Sequence, residues 1–98
     1  MRIDYKSKRL QKTCENASVA KKQYGLKMAI KIQQRIGELS AVSTVEEMVR
    51  FQIGRCHPLR GNRRDQYALD LVHPYRLVFT RIENEIQIAR IEEIVDYH

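Results

Sequence analysis

The fold of this 98-residue chain is decided by residues 66–98, which read QYALDLVHPYRLVFTRIENEIQIARIEEIVDYH. Apolar and polar side chains alternate along residues 66–72 and again along residues 75–82, as they do in half-buried strands. Turn-forming residues separate these segments at 72–76 and follow them at 83–85. Strands joined by short turns form an antiparallel sheet, so the sequence predicts such a sheet in its second half.

The last segment, residues 86–98, reads as a further strand whose apolar phase changes. Ile86 and Ile88 alternate with polar residues, but the apolar residues after them fall out of step. A β-bulge, one extra residue at position 89 or 90, accounts for this shift. A helical turn through residues 91–95 is the alternative interpretation, because short apolar runs fit both structures.

The first half predicts helices after a short strand at residues 1–6. Residues 8–15 fit a short helix, and residues 20–39 fit a longer one because apolar side chains recur there at helical spacing. These side chains are Met28, Ile32, Ile36 and Leu39. Gly25 fits a helix start, a kink or a tolerated position inside the helix.

A capping box places one more helix before the sheet. Thr44 is followed three residues later by Glu47, which predicts a short helix over residues 45–50. The helices must cover one face of the sheet, which leaves the other face open in this α+β arrangement. Side chains alternate along a strand, so Arg76 faces the open side if Leu77 faces the helices.

The composition indicates a small basic domain with an anionic partner. The 18 lysines and arginines outnumber the 12 aspartates and glutamates, which gives a formal net charge of +6. Such a charge fits nucleic acid, a membrane surface or an acidic protein. A chain of this length forms one domain, residues 1–98. No apolar run reaches the about 18 residues of a membrane span, and residues 1–12 lack the apolar core of a signal peptide, so a cytoplasmic location is expected.

The two cysteines are expected to be free thiols in a reducing compartment. Cys56 is followed directly by His57, and adjacent ligands suit one tetrahedral ion poorly. Neither residue forms a metal-binding spacing with His73. The sequence therefore predicts neither a metal nor another cofactor.

A basic stretch precedes the predicted sheet. Residues 50–64 contain five arginines, one histidine and no acidic residue. Such a stretch is either a solvated loop or a surface that holds phosphate, and composition does not decide between them. If the anion is RNA, its 2′-hydroxyl can attack the neighbouring phosphate without a metal. That reaction needs a base, an acid and fixed positive charge at the phosphate.

Side chains suited to each of these tasks occur in the second half of the chain. Histidine moves protons near neutral pH, arginine stays charged and matches phosphate oxygens, and tyrosine stacks on bases. The candidates are His57 and His98 for proton transfer, Arg60, Arg63 and Arg76 for charge, and Tyr67 or Tyr97 for stacking. Each has a structural alternative, such as a strand-end histidine, a cross-strand ion pair or a core tyrosine, and spacing alone leaves their convergence open.

Three stretches go beyond generic patterns. They read CENASVAKKQYGLKMAIKIQQRI at residues 14–36, HPLRGNRRDQYALDLVHPYRLVF at residues 57–79 and EIVDYH at residues 93–98. Together they closely resemble the HigB-type killer proteins of the RelE/ParE toxin superfamily, over nearly the whole chain. The resemblance implies a RelE-like α+β fold with N-terminal helices packed on one face of a mostly antiparallel sheet. It also implies a ribosome-dependent mRNA endonuclease, an mRNA interferase, that cuts translated messages and inhibits translation.

The resemblance implies partners as well. Toxins of this kind belong to type II toxin–antitoxin systems and are neutralised by a cognate antitoxin, here a HigA-like helix-turn-helix protein. The toxin–antitoxin complex in such systems binds its own operator DNA. The toxin itself acts on the ribosome and the mRNA that the ribosome holds.

The resemblance assigns roles to matching positions. These positions are His57, Arg60, Arg76, Asp96, Tyr97 and His98. His98 and Asp96 would transfer protons or orient the group that does, with His57 as a second candidate. Arg60 and Arg76 would stabilise the scissile phosphate, and Tyr97 would stack on a base or position the nucleotide. Which group is the base and which the acid stays open.

The surrounding basic residues are expected to contact RNA. These are Arg55, Arg63 and Arg64, together with Tyr67. Asp65 departs from the pattern, because many relatives have glycine at this position. Aspartate tolerates the left-handed conformation that a turn needs, although its charge would weaken contact with ribosomal RNA.

Two alternatives come from other functional classes. Some members of the same superfamily poison DNA gyrase without cutting RNA, and the DYH ending and His57 argue against that activity. A non-catalytic nucleic-acid-binding domain would use the arginines and tyrosines for backbone and stacking contacts only. That domain would tolerate replacement of both histidines.

Overall fold

The computed structural model describes residues 1–97, and within them four helices and five strands form two layers. The helices are α1 (Lys8–Glu15), α2 (Ala17–Tyr24), α3 (Leu26–Ala41) and α4 (Val45–Arg50). The strands are β1 (Arg2–Tyr5), β2 (His57–Pro58), β3 (Gln66–Asp70), β4 (Tyr75–Ile82) and β5 (Ile88–Asp96), and a single 3-10 turn, Ile53–Arg55, lies between α4 and β2.

The five strands form one sheet in the order β1-β5-β4-β3-β2. Only the edge strand β1 pairs parallel, with β5, and the other neighbours are antiparallel. The helices cover one face of this sheet, which confirms the predicted α+β arrangement. The short first strand and the helices over residues 8–15 and 45–50 are confirmed too, and the Thr44 hydroxyl oxygen accepts the Glu47 amide at 3.3 Å as the capping box predicts.

The helix predicted over residues 20–39 is divided into two helices, and of the three interpretations of Gly25 the helix start is confirmed. Gly25 adopts φ 92° and ψ 169°, a conformation outside the helical region, so α2 ends before it and α3 begins after it. Positive φ is strained for residues with a Cβ, which explains why glycine occupies this junction. The Asn16 side chain caps the start of α2 by accepting the amides of Ser18 and Val19.

The β-bulge in β5 lies further along the chain than the sequence predicted. Val78 pairs with Glu93 whereas Phe79 pairs with Ile91, so Glu92 is the extra residue. The strand remains extended from Ile88 to Asp96, so the alternative of a helical turn is wrong. A one-residue insertion reverses which side chains face which side of a sheet. The bulge at Glu92 therefore decides the orientation of everything that follows it.

The core lies between the helices and the sheet. Leu69, Leu77 and Phe79 on the sheet are fully buried, and Ile32 and Met48 reach them from the helical layer. Apolar burial of this kind is the main source of stability in a domain of this size.

Both cysteines are buried free thiols, as the sequence predicts. Burial raises the pKa of the Cys56 thiol to about 12, which keeps it protonated at neutral pH. A protonated thiol is a poor nucleophile. Cys56 therefore acts as a small apolar residue beside the candidate site.

A partly buried arginine on α3 ties the helices to the end of β3. The Arg35 Nε donates to the Asp70 carbonyl oxygen at 2.7 Å, and its Nη1 donates to Glu38 at 2.8 Å. The backbone of Gly54 passes so close that a Cβ there would lie 2.8 Å from the Arg35 Nε. Among the described residues, no helix is long and apolar enough to cross a membrane.

Replacing Gly54 by alanine is expected to destabilise the fold. The new Cβ would displace the Arg35 side chain, and alanine would have to adopt the glycine's φ of 58°. We expect a loss of about 1–3 kcal/mol in the free energy of unfolding, measured by urea denaturation.

The matched control is Gly37→Ala within α3, where nothing beyond the surrounding turns of the helix backbone lies within 4 Å of the new Cβ. Alanine is the better helix former, so this variant should gain up to about 1 kcal/mol. Equal effects of the two substitutions would contradict the close contact between Gly54 and Arg35.

Candidate nucleic-acid interface

The side of the sheet opposite the helices, called the open face from here on, carries the candidate site. Strand pairing and alternation put on it His57, Ala68, Asp70, Arg76, Val78, Glu93, Val95 and Tyr97. Ala68 and Val78 are fully buried although they point away from the helices. Larger polar side chains therefore cover the centre of this face and shield an apolar floor beneath them.

Tyr97 is held at the centre of the open face by three contacts. The guanidinium carbon of Arg76 lies 5.1 Å from the centroid of its ring, within the range of a cation–π contact. Arg63 Nη1 donates to the Tyr97 hydroxyl oxygen at 3.0 Å. The Tyr97 amide donates to the Pro74 carbonyl at 3.0 Å, which fixes the backbone as well. The bulge at Glu92 makes this arrangement possible, because an unbulged strand would point Tyr97 toward the helices.

Arg63 reaches the open face from the loop between β2 and β3. Its Nε donates to the Gln66 side-chain oxygen at 2.8 Å, and its carbonyl accepts the Gln66 amide at 3.1 Å. Its Nη2 also lies 4.0 Å from a carboxylate oxygen of Glu93. These contacts hold the Arg63 side chain against the sheet surface although the residue belongs to a loop.

Asp65 anchors the same loop to the other side of the sheet. Its φ of 59° is the left-handed conformation that the sequence analysis anticipated for this glycine-like position. Its carboxylate accepts from Arg81 Nη2 at 3.0 Å, and its carbonyl accepts the Arg81 amide at 2.8 Å. The negative charge of Asp65 is therefore directed to Arg81 rather than to the open face.

Asp70 lies between two arginines of the predicted site. One carboxylate oxygen is 3.4 Å from Arg55 Nε, and the other is 3.7 Å from Arg76 Nε. Arg55 belongs to the short turn before β2, whereas Arg76 belongs to β4. A single carboxylate thus joins two elements that flank β3.

His57 lies on the edge strand β2, where it pairs with Ala68 of β3. Its Nδ1 is 2.8 Å from the Arg55 carbonyl oxygen. A carbonyl can only accept, so Nδ1 carries the proton in the neutral ring and Nε2 is left with a lone pair. This tautomer suits a proton acceptor directed away from the backbone.

The structure leaves two predicted site residues off the open face. Tyr67 alternates to the helix-facing side, where its ring stacks on Phe79 with centroids 5.6 Å apart and lies 5.8 Å from the Arg81 guanidinium carbon. Asp96 pairs with Tyr75 and shares its side of the sheet, so alternation separates it from Arg76. The bulge in β5 explains the placement of Asp96, because it exchanges the faces of Asp96 and Tyr97.

The remaining predicted residues lie in the loop or outside the described region. Arg60 and Arg64 are exposed in the loop between β2 and β3. His98 lies outside the described residues. Within residues 1–97, no group of three or more histidine, cysteine, aspartate and glutamate side chains could hold a metal ion.

Asp70 and Glu93 are the charged residues named above on the open face that sequence reasoning did not select. Each contacts an arginine from another element, and the register between strands determines both contacts. The sequence carries one usable signal, since Asp70 shares the alternation phase of Ala68 rather than that of Leu69. Its partner on β4 could not be identified without the register.

A solved structure is similar to the fold of this chain, whereas comparisons of its sequence with protein families and curated proteins found no match. No family model matches the chain, and no curated protein matches it. A solved structure described as YoeB/ParE toxin from Agrobacterium tumefaciens is similar over 100% of both chains, with a TM-score of 0.62 and 13% sequence identity. The chain therefore shares the fold of this solved structure. At this identity the likeness extends to the fold alone.

Proposed function

We propose that this chain is the toxin of a type II toxin–antitoxin system and cleaves mRNA on translating ribosomes without a metal. The observation that carries the proposal is the cluster of Arg63, Tyr97 and Arg76 on the open face, which also bears His57 two strands away from Arg76. Such a cluster offers fixed positive charge and an aromatic surface to a single strand of RNA. The toxin fold and the resemblance to HigB-type proteins support the same function.

The proposed chemistry is attack of a 2′-hydroxyl on the adjacent phosphate. A base removes the 2′ proton, the 2′ oxygen bonds to phosphorus, and the bond to the 5′ oxygen breaks. An acid protonates the departing 5′ oxygen, leaving a 2′,3′-cyclic phosphate. His57 can accept a proton at Nε2, and His98 is the second candidate for proton transfer.

The arginines would stabilise the charge that develops on phosphorus. Arg76 is held against the Tyr97 ring, so its guanidinium is positioned before RNA arrives. Preorganised charge of this kind avoids reorganisation in the transition state. Arg60 would reach the phosphate from its exposed loop, and Tyr97 would stack on a base. Asp96, at the end of β5, would orient a neighbouring group rather than contact the RNA itself.

The partners follow from this function. The ribosome would present the mRNA strand to the open face, and the exposed arginines Arg55 and Arg64 would contact RNA beside the site. A HigA-like helix-turn-helix antitoxin would neutralise the toxin, and their complex would bind operator DNA. The expected location is the cytoplasm, where translation occurs.

Gyrase poisoning is the second candidate, because the similar solved structure also has ParE in its description. The two functions separate in parallel assays with the purified protein. In cell-free translation, an interferase shortens the reporter mRNA and stops protein synthesis while gyrase supercoiling stays unaffected. Inhibited supercoiling with intact mRNA would instead establish the gyrase function and overturn the proposal.

Tyr97 variants test the stacking role. Tyr97→Phe keeps the ring beneath Arg76 and loses only the hydrogen bond from Arg63, so cleavage of ribosome-bound mRNA should fall about threefold to tenfold. Tyr97→Ala removes the aromatic surface, and its rate should fall about tenfold to hundredfold. Single-turnover cleavage rates measure both effects.

The control is Tyr24→Phe, which removes a hydroxyl from the helical layer. It should cleave at the wild-type rate because Tyr24 packs against Tyr75 on the helix-facing side. Equal rates for Tyr97→Ala and the wild-type protein would exclude a stacking role for Tyr97.

A further inference from the structure

A recess of about 180 Å³ opens beside the arginine cluster. It is lined by Arg55, Asp70 and Arg76 together with the turn between β3 and β4. The two arginine Nε atoms both approach Asp70, one at each carboxylate oxygen. Two guanidinium groups around one oxyanion form the kind of arrangement that proteins use for phosphate.

The carboxylate is held loosely by its two arginines. Its distances of 3.4 and 3.7 Å are longer than the about 2.7–2.9 Å of close charge-assisted hydrogen bonds. The side chain of Arg55 is 77% exposed, so this pair is also screened by solvent. Ion pairs of this type contribute little stability and exchange readily for another anion.

The backbone of Asp70 is fixed even though its side-chain contacts are loose. Arg35 donates to the Asp70 carbonyl at 2.7 Å from the helical layer, and β4 pairs with Asp70 through Arg76. The fixed backbone of Asp70 therefore keeps its carboxylate in the lining of the recess. An incoming phosphate would therefore compete with this carboxylate for the two arginines.

We propose that Arg55 and Arg76 form a subsite for an RNA backbone phosphate and that the Asp70 carboxylate occupies it in the free protein. Asp70 would then be a specificity residue that lowers affinity for free RNA. Only an RNA strand that other contacts already hold in place, such as an mRNA presented by the ribosome, would displace the carboxylate. This inference rests on the proposed function for the identity of its ligand, RNA. It adds to that function a carboxylate of the protein, Asp70, that competes with the RNA phosphate.

The test is binding of a short, unstructured 2′-O-methyl oligouridylate that cannot be cleaved, followed by fluorescence anisotropy. Asp70→Asn keeps the carbonyl that Arg35 binds and removes the competing charge. We expect its Kd to fall about tenfold at moderate salt. The slope of log Kd against log salt should steepen by about 0.7, as one further phosphate contact predicts.

Two comparisons separate the subsite from a general change in charge. Asp4→Asn makes the same change of net charge on β1, three strands away from β3, and should leave Kd within about twofold of wild type. In the double variant Asp70→Asn/Arg55→Gln, the gain in affinity should disappear because the subsite has lost one arginine.

The outcomes are distinct. An unchanged or weaker Kd for Asp70→Asn, a gain equal to that of Asp4→Asn, or a gain that survives loss of Arg55 would each overturn the subsite. Failure of the proposed function appears elsewhere, as intact mRNA and normal protein synthesis in the translation assay. A tighter, Arg55-dependent complex together with intact mRNA would keep the subsite and reject cleavage.

Discussion

Replacing Arg76 by alanine is expected to slow cleavage of ribosome-bound mRNA by about two to three orders of magnitude. Arg76 touches both Tyr97 and Asp70, and it is the strand residue at the centre of the proposed phosphate contacts. An arginine guanidinium is a permanent positive charge whose planar fork matches phosphate oxygens, so losing it removes a large part of the transition-state stabilisation that Arg60 and Arg76 would share. Single-turnover cleavage rates at saturating protein measure the effect.

Two variants make this result specific to the site. Arg76→Lys keeps the charge but loses the planar fork, so it should recover only part of the rate. Arg90→Ala removes an arginine from the same face, where it pairs with Glu92 at 2.7 Å, and should retain the wild-type rate. If Arg76→Ala has the wild-type free energy of unfolding and cleaves within about threefold of the wild-type rate, Arg76 does not take part in the chemistry.

Phe79→Ala is expected to lower the free energy of unfolding by about 3–5 kcal/mol. Phe79 is fully buried on β4 and stacks on Tyr67. Its truncation removes apolar contacts and leaves a cavity between sheet and helices, which the surrounding structure fills only in part. Since a small domain has only about 5–15 kcal/mol of stability, this variant should be partly unfolded at 37 °C.

The matched control is the same substitution at an exposed site. Phe51 follows α4 and is 64% exposed, so Phe51→Ala should change stability by no more than about 0.5 kcal/mol. Urea denaturation at 25 °C measures both variants. A small effect at Phe79 would mean that the sheet does not pack on the helices as described.

The sequence was a good guide where one local signal determines the structure. The Thr44 and Glu47 capping box located α4, and simple alternation located β3 and β4. It failed where two local signals competed. The periodic apolar residues of α3 masked the break at Gly25, because a glycine inside a helical pattern also fits a tolerated position.

The candidate site depends on how neighbouring strands pair, which the sequence of one strand does not specify. The position of the bulge at Glu92, rather than at residue 89 or 90, puts Tyr97 and not Asp96 beside Arg76. A bulge is set by pairing with the neighbouring strand, which no single segment encodes. Asp70 was missed for the same reason, since its contacts with Arg55 and Arg76 come from three separate elements.

Mapping the 5′ ends of a reporter mRNA at single-nucleotide resolution tests the central claim most directly. The protein is added to a purified translation system, with and without ribosomes initiated on the message. We expect new 5′ ends within translated codons, dependent on ribosomes and absent with Arg76→Ala. An unbroken message on translating ribosomes, or the same cuts with Arg76→Ala, would contradict it.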